Sequence, residues 1–577
     1  MSDRDMVEVP KGRFAPWLME PMRRNRSIYV KVALAAAMIN LFALATSLFT
    51  MVVYDRVVPN NATASLVALS IGLVIVIIFD FVLKTLRAYF VDVAGARIDR
   101  EVGGSIFARL LSIRLDQKRG STGALAGVVR ELETLREFFA SATVTAIVDV
   151  PFIVITLAVI AIIGGPVVFV PLAMIPLVVL TALFTQPAMD RLSAQSMGQG
   201  LQKQSVLVET IGGLETIKTV GAAPILTQRW LGAVEDHGHT ALRQRLVSNL
   251  SVTIAGSAQT ISYAGVVIVG VGLIASQDLT MGGLIACSIL GGRAVAPLGQ
   301  IATLLSRLTG TRTAYRQLNA LMNSRAEGPE GEPLVLARTD GKIEFRNVHF
   351  RYPGAAEKAL DGVSFTIEPG EHVALLGRVG SGKSTIARLV LGLYEPEEGL
   401  VMLDGTDIRQ LDPISLRRKI GSAMQESLLL SGSVRENIVL GRDGIDDNEM
   451  VRAAELAGTH QFMGQIANGY DLKLADRGEG LSGGQRQSIA LARALAGAPP
   501  ILLFDEPSSA MDQQTEGALL DRLNRELEGR TFLVITHRTP FLRLVSRVII
   551  VDRGKIVADG PRDQVLAKLS RPKVAAV

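Results

Sequence analysis

Gly377, Gly382, Lys383 and Ser384 stand at the spacing G-x-x-x-x-G-K-S, between the apolar run HVALLG (His372–Gly377) and the stretch TIARLVLGL (Thr385–Leu393). A strand that turns into a helix through such a loop aims backbone N–H groups at phosphate oxygens, with Lys383 reaching the β- and γ-oxygens and the Ser384 hydroxyl on Mg²⁺. The helix N-terminus adds its dipole. Gly380, Ser381 and Thr385 complete the loop as further nucleotide contacts. A glycine-rich turn that holds no nucleotide is the plain alternative, and the strand before and the helix after argue against it. Downstream, the apolar strand ILLF (Ile501–Phe504) delivers Asp505 and Glu506. Asp505 is placed to hold Mg²⁺ through water, and Glu506 to polarise an attacking water as general base. Two adjacent acids also cap loops, but after a phosphate loop this pair describes hydrolysis of ATP.

The segment LSGGQ (Leu481–Gln485) opens a helix and has no use in an isolated nucleotide site, because its N-terminus needs a phosphate to face. The order of GRVGSGKS (Gly377–Ser384), LSGGQRQ (Leu481–Gln487), ILLFDEP (Ile501–Pro507) and ITHR (Ile535–Arg538) resembles the ATPase half of ATP-binding-cassette (ABC) proteins. That resemblance implies that Ser482, Gly483, Gly484 and Gln485 cap the ATP held by another subunit, so that the active form is a homodimer. It implies that Tyr352 in FRYP stacks on adenine and that Gln425 in AMQES senses Mg²⁺ and the membrane domain. It further implies that Asp512 in SSAMD crosses the dimer interface and that His537 contacts the γ-phosphate. Taken singly, these four read as a strand aromatic, a loop amide, a helix cap and a strand-end residue. One departure stands out: Asp476, Arg477 and Gly478 precede LSGGQ where exporters of this family often have Glu-Arg-Gly. A shorter acid bears on coupling to the membrane domain and leaves the ATP chemistry intact.

The elements that must position these residues divide the chain. Its 577 residues exceed one core, 48% are hydrophobic and 20% charged, and the apolar residues concentrate before residue 310. About 20 apolar residues cross a hydrocarbon core as a helix. Six segments qualify: Val32–Val53, Leu66–Phe90, Ala142–Ile163, Val167–Phe184, Val252–Ile274 and Met281–Leu305. The links after the first, third and fifth are short, whereas Val91–Ser141 and Thr185–Ser251 are long, charged and helical in pattern. They are expected to extend into the cytoplasm as helices whose turns touch the ATPase. Arg13, Arg23, Arg24, Arg26 and Lys31 precede the first span and place the N-terminus in the cytoplasm, and six spans return the C-terminus there. The net charge of +5 is spread around the spans, which disfavours nucleic acid. Met1–Arg26 lacks an apolar stretch ending in small residues, so no cleavable signal is expected there. The single cysteine, Cys287, reads as a small packing residue. NSRAEGPEGEPL (Asn323–Leu334) has the composition of a linker, and from Gly341 short β-branched runs alternate with amphipathic stretches. The expected fold is a multi-domain membrane protein: a six-helix, all-α ABC exporter transmembrane domain followed by an α/β P-loop nucleotide-binding domain. The expected limits are 1–27 for a cytoplasmic N-terminal segment, 28–322 for the spans, 323–340 for the linker and 341–577 for the ATPase.

The membrane half decides what is moved. Met38–Ala62, Arg130–Phe152 (RELETLREFFASATVTAIVDVPF), Glu209–Ala222 (ETIGGLETIKTVGA) and Gly291–Gln300 (GGRAVAPLGQ) resemble the type I protein secretion exporters of Gram-negative bacteria, and the likeness runs from about Arg23 onward. It implies ATP-driven export of an unfolded protein with an uncleaved C-terminal signal across the inner membrane, together with a periplasmic membrane-fusion adaptor and an outer-membrane channel. Only a short segment precedes the first span, so no N-terminal peptidase-like domain is expected, and an intramembrane Cys287 is no leader-cleaving nucleophile. A lipid or small-molecule exporter of the same fold is the alternative. A membrane-anchored cassette ATPase that transports nothing fits six spans poorly. Ionisable residues inside spans are functional candidates by default. Asp80, Lys84 and Arg87 share a helical face and read as an internal ion pair. Arg293, four residues before Pro297, is either a packed arginine or part of a polar path. Pro151 is expected to kink the third span, with Asp149 satisfying a neighbour.

Overall fold

The computed structural model of the chain describes residues 14–117, 122–138, 143–329 and 331–570. They fall into two compact units, one of Met1–Ser112 with Arg119–Ser324 and one of Ile113–Lys118 with Arg325–Val577.

The first unit is helical. An amphipathic helix, Pro16–Arg24, is tied down by Trp17 Nε1, which donates to Asn319 Oδ1 at 3.0 Å, and by the Ala15 N–H, which donates to the Tyr315 hydroxyl at 2.7 Å. Long helices follow at Arg26–Val52, Thr63–Ser112, Thr143–Gly164, Phe169–Gly212, Ala223–Ala275 and Met281–Met322. At 1.5 Å per residue, the 50 residues of Thr63–Ser112 run about 75 Å, more than twice the hydrocarbon thickness of a bilayer. The charged segments after the second and fourth spans therefore begin as continuations of those helices, to Ser112 and Gly212, and the second of them resumes as the start of the helix Ala223–Ala275. By length and hydropathy the described residues hold five membrane-crossing stretches, because the third and fourth expected spans run together as Asp149–Gly212. A break separates them all the same: Gly165 takes φ +51° and Gly165–Val168 forms a 3₁₀ turn around Pro166, which lacks the N–H that would continue the helix. Ala142, the expected start of the third span, lies outside the described residues.

Polar side chains inside the spans find partners on neighbouring helices. Asn40 Nδ2 donates to Asp149 Oδ1 at 2.7 Å, so that aspartate satisfies a side chain of the first membrane helix two residues before Pro151. Asp80 and Lys84 form the expected i,i+4 pair at 2.6 Å. Arg293 is exposed and donates to the Ala43 carbonyl. Cys287 is buried among Ile160, Val167 and Leu290, a packing residue.

One junction was not foreseen. The first membrane helix ends in a π-turn, Val53–Val57, which swings Asp55 onto the start of the last one. Asp55 Oδ2 accepts from the Thr280 hydroxyl at 2.7 Å and Oδ1 from the Gly282 N–H at 2.8 Å. The carboxylate thereby caps a helix in another segment of chain, where its charge and the helix dipole agree. A Cβ on Gly282 would stand 2.4 Å from the Met51 carbonyl oxygen and 2.7 Å from Asp55. Gly282→Ala is expected to force these helix ends apart and cost about 1–3 kcal/mol, read as a lower thermal midpoint of the purified protein.

The second unit is α/β. An antiparallel sheet orders β1 (Ile343–Phe350), β2 (Leu360–Ile367), β4 (Glu398–Leu403) and β5 (Thr406–Asp407) as β2-β1-β4-β5. A second sheet contains β3 (His372–Leu376), β6 (Ile420–Ala423), β9 (Ile501–Asp505), β10 (Thr531–Ile535), β11 (Arg547–Asp552) and β12 (Lys555–Pro561) in the order β12-β11-β3-β10-β9-β6. Short β7 (Gly432–Ser433) and β8 (Lys473–Leu474) pair with each other. β3, β6, β9, β10 and β11 are parallel. Their fully apolar runs reflect a sheet covered on both faces: Leu502 and Phe504 pack into one core, Leu503 and Ile535 into the other. Residues 113–118 are gathered with this unit. The Arg325 N–H donates to Gln117 Oε1 at 2.8 Å, and Arg114 pairs with Asp116 at 2.7 Å and Glu395 at 2.5 Å.

Candidate nucleotide site

In a parallel sheet the crevice beyond the carboxyl ends of the strands is where ligands gather. Register fixes which residues emerge there. Ile535 pairs with Leu375 and with Asp505, and Ala423 with Phe504. The loops after β3, β6, β9 and β10 therefore rise side by side, bringing the phosphate loop, Gln425, Glu506 and His537 to one edge.

Two glycines shape the phosphate loop. Gly377 has φ +154° and Gly382 φ +105°, and a Cβ on either would meet a backbone oxygen, Val551 at 2.0 Å or Ala359 at 2.6 Å. Only glycine allows this approach. Lys383 Nζ donates to the carbonyls of Gly377 and Arg378, each at 2.9 Å, folding its side chain along the loop. Burial presses the Lys383 ammonium below its ordinary pKa, against the pull of Glu506 and Asp505. The Ser381 hydroxyl is buried with no partner among the described residues.

Asp505 is 2% exposed. Burial pushes its carboxyl up and neighbouring Glu506 adds to that, while a hydrogen bond with Ser384 and the charges of Arg388 and Lys383 pull it down. Asp505 Oδ1 is buried and unpartnered. A serine hydroxyl beside a carboxylate with a free oxygen is a hard donor set of the kind Mg²⁺ takes, so these residues fit that ion, and Ser384 and Asp505 would hold it. Glu506 sits at φ +52°, a region costly for a non-glycine residue. Two bonds hold it there: its N–H donates to the Ile535 carbonyl at 2.8 Å, and its carbonyl accepts from Gln487 Nε2 at 2.9 Å. His537 Nδ1 lies 2.7 Å from Glu506 Oε1. A carboxylate only accepts, so the proton at that contact rests on the imidazole. Oε2 is buried and unpartnered, leaving one oxygen oriented by His537 and the other free to take a proton.

The remaining expected residues occupy two other places. Ser482 caps the helix Gly483–Leu495, and its capping box takes up Gln485, whose Oε1 accepts from the Ser482 N–H at 2.8 Å. Gln485 thus serves the fold of its own segment. Among the described residues no hydrogen bond or ion pair joins Ser482, Gly483 or Gly484 to the phosphate loop of the same chain. Asp512 caps the helix Gln513–Glu526, and the Thr515 N–H at 2.7 Å holds its carboxyl below the ordinary range. Gln425 is exposed, two residues beyond β6. Tyr352 follows β1, with its hydroxyl 3.1 Å from Thr385 Oγ1. The side chain of Asp476 lies outside the described residues.

Some working residues escaped the sequence reading. Gln487 ties the LSGGQ helix to Glu506 and to the following loop, donating to Ser509 Oγ at 3.1 Å and accepting from the Ala510 N–H at 3.0 Å. Its one signal is an amide inside an otherwise buried helical run. Beside His537, Arg538 pairs with Glu516 at 3.3 Å and donates to the carbonyls of Ser509 and Met511 at 3.4 Å, while the Ser508 hydroxyl donates to Glu516. Glu516 is 3% exposed, and nothing in the sequence separates it from a solvated first-turn acid. Arg538→Ala strands that carboxylate and is expected to cost about 3 kcal/mol or more. The double variant Arg538→Ala/Glu516→Gln should recover much of the loss in thermal unfolding.

The ABC transporter family pattern matches residues 360–509, and that of the ABC transporter transmembrane region residues 30–291. Over 552 residues the chain is 33% identical to the toxin RTX-I translocation ATP-binding protein of Actinobacillus pleuropneumoniae, covering 96% of this chain and 78% of the relative. It is 34% identical over 554 residues to leukotoxin translocation ATP-binding proteins of a Pasteurella haemolytica-like species (strain 5943B) and of Mannheimia haemolytica, covering 95% of this chain and 78% of each. Among solved structures, a bacterial Atm1-family ABC exporter with ATP bound is similar at a TM-score of 0.83 and 25% identity, covering 95% of this chain and 96% of that one.

Proposed function

This chain belongs to the ABC transporters, among the exporters of type I protein secretion, and from that premise we propose how its residues move a protein. It is an ATP hydrolase coupled to protein export, and the alternative of a lipid or small-molecule exporter is not favoured by its relatives. In the proposed cycle two copies face each other, so that Ser482, Gly483, Gly484, Gln485 and Asp512 of each chain complete the phosphate site of the other. Lys383 and the N–H groups of the loop bind the triphosphate, and Tyr352 stacks on adenine. Glu506 takes the proton of the attacking water on its free oxygen, while His537 orients the other. Ser384, Asp505 and Gln425 would hold Mg²⁺, which would supply positive charge to neutralise the phosphates. Closure of the paired cassettes pulls on the long helices and changes the exposure of the membrane path, and hydrolysis reopens the pair. The finer parts of the proposal are the limits 1–27, 28–322, 323–340 and 341–577, both termini in the cytoplasm of a bacterial inner membrane, and a secreted substrate with an uncleaved C-terminal signal. A periplasmic adaptor and an outer-membrane channel complete the route.

One observation carries the reading. Glu506 is strained, oriented by His537 and left with one free oxygen next to the phosphate loop, while among the described residues no hydrogen bond or ion pair joins the LSGGQ helix start to that loop. Val379 at the loop tip is fully exposed, which provides a test. In a Cys287→Ser background, Val379→Cys with Ser482→Cys is expected to yield an ATP-dependent disulfide-linked dimer on a denaturing gel. A chain that stays monomeric with ATP and oxidant contradicts the trans arrangement.

A further inference from the structure

Tyr352 is held by contacts that the ATP chemistry above does not use. Its hydroxyl accepts from Arg388 Nη1 at 2.9 Å, and the Arg388 guanidinium stands over its ring, 5.8 Å from the centroid. Phe350 and Tyr394 meet the ring edge-on at 4.9 and 5.3 Å, with interplanar angles of 84° and 85°. With Thr385 also at the hydroxyl, the phenol tip is anchored at two points of one helix, the helix Lys383–Val390 whose first residues form the phosphate site. Thr385 and Arg388 are three apart and share a helical face, so the phosphate helix and the half-buried ring beyond β1 are linked as one piece.

We propose that Arg388 is the positioning residue of the base platform. Its hydrogen bond and its charge against the π face hold Tyr352 at a fixed height above the phosphate helix, so that a purine stacks on the ring when the triphosphate enters the loop. Arg388 thereby sets affinity for the nucleoside half of ATP without touching the phosphates. The inference rests on the reading of Tyr352 as the aromatic that stacks on adenine. It also has a competitor in the same residue, because the Arg388 charge reaches Asp505 and could act on the phosphate half instead.

Inorganic tripolyphosphate separates the two, since it offers the phosphates without a base. The experiment uses the full chain in nanodiscs and compares ATP kinetics with competitive inhibition by tripolyphosphate for Arg388→Ala, Arg388→Lys, Tyr352→Ala and the double alanine variant. Arg388→Ala is expected to raise KM for ATP on the order of ten-fold, the factor a lost base–aromatic stack carries, with kcat held within about two-fold. Tripolyphosphate inhibition should stay as in the parent chain. Arg388→Lys, which keeps a donor and a charge at the ring, should restore most of the affinity, and the double variant should be no worse than Tyr352→Ala. Parallel weakening of ATP and tripolyphosphate overturns the proposal in favour of action through Asp505. A KM raised by Tyr352→Ala and untouched by Arg388→Ala also overturns it while preserving the platform. If neither variant moves KM, the reading of Tyr352 falls first and takes the proposal with it.

Discussion

Replacing Glu506 by glutamine is expected to leave ATP binding within about three-fold of the parent and to lower hydrolysis by about 10²–10⁴, the range general-base catalysis supplies. The carboxamide oxygen can still accept from His537, and the backbone bonds to Ile535 and Gln487 do not involve the side chain. The fold at φ +52° therefore survives the change. What disappears is the free oxygen, replaced by an NH₂ group that cannot take a proton from water. Single-turnover hydrolysis with radiolabelled ATP measures the effect, and export in cells should cease with it. Hydrolysis near the parent rate would move the base to another residue.

Lys383→Ala acts on the other half of the site. Its ammonium is partly desolvated, which lowers its pKa and makes the charge costly unless an anion meets it. Phosphate oxygens repay that cost with charge-assisted bonds worth about 1.5–3 kcal/mol each, so removal should weaken ATP binding by about 10² or more. The loop itself loses the two bonds from Nζ to the carbonyls of Gly377 and Arg378. Equilibrium binding of a fluorescent ATP analogue reads the loss directly. Undiminished binding would show that backbone N–H groups alone hold the triphosphate.

Much of this was legible in the chain because local rules agreed with the tertiary outcome. Apolar runs of strand length end in glycine or in acids, so the phosphate loop and the Asp505–Glu506 strand end are legible in the sequence. Membrane spans followed from length and hydropathy, and the short link read between the third and fourth is the turn at Gly165–Val168. What stayed hidden depends on register and on contacts distant in sequence. His537 meets Glu506 because Ile535 pairs with Asp505 across two strands. Asp55 reaches Thr280 and Gly282 from 225 and 227 residues away. Arg388 and Glu516 look like solvated charges on amphipathic helices until Tyr352 and Arg538 are brought against them. The capping box between Ser482 and Gln485 is likewise a local contact that the motif alone does not announce.

The most direct test of the central claim, ATP hydrolysis coupled to export of a polypeptide, is the ATPase rate of the purified chain in nanodiscs titrated with C-terminal fragments of candidate secreted proteins and, separately, with lipids. The Glu506→Gln chain serves as the blank. Saturable modulation by one polypeptide tail and none by lipid is the expected result. A response to lipid or small molecules alone, with every tail inert, would contradict it.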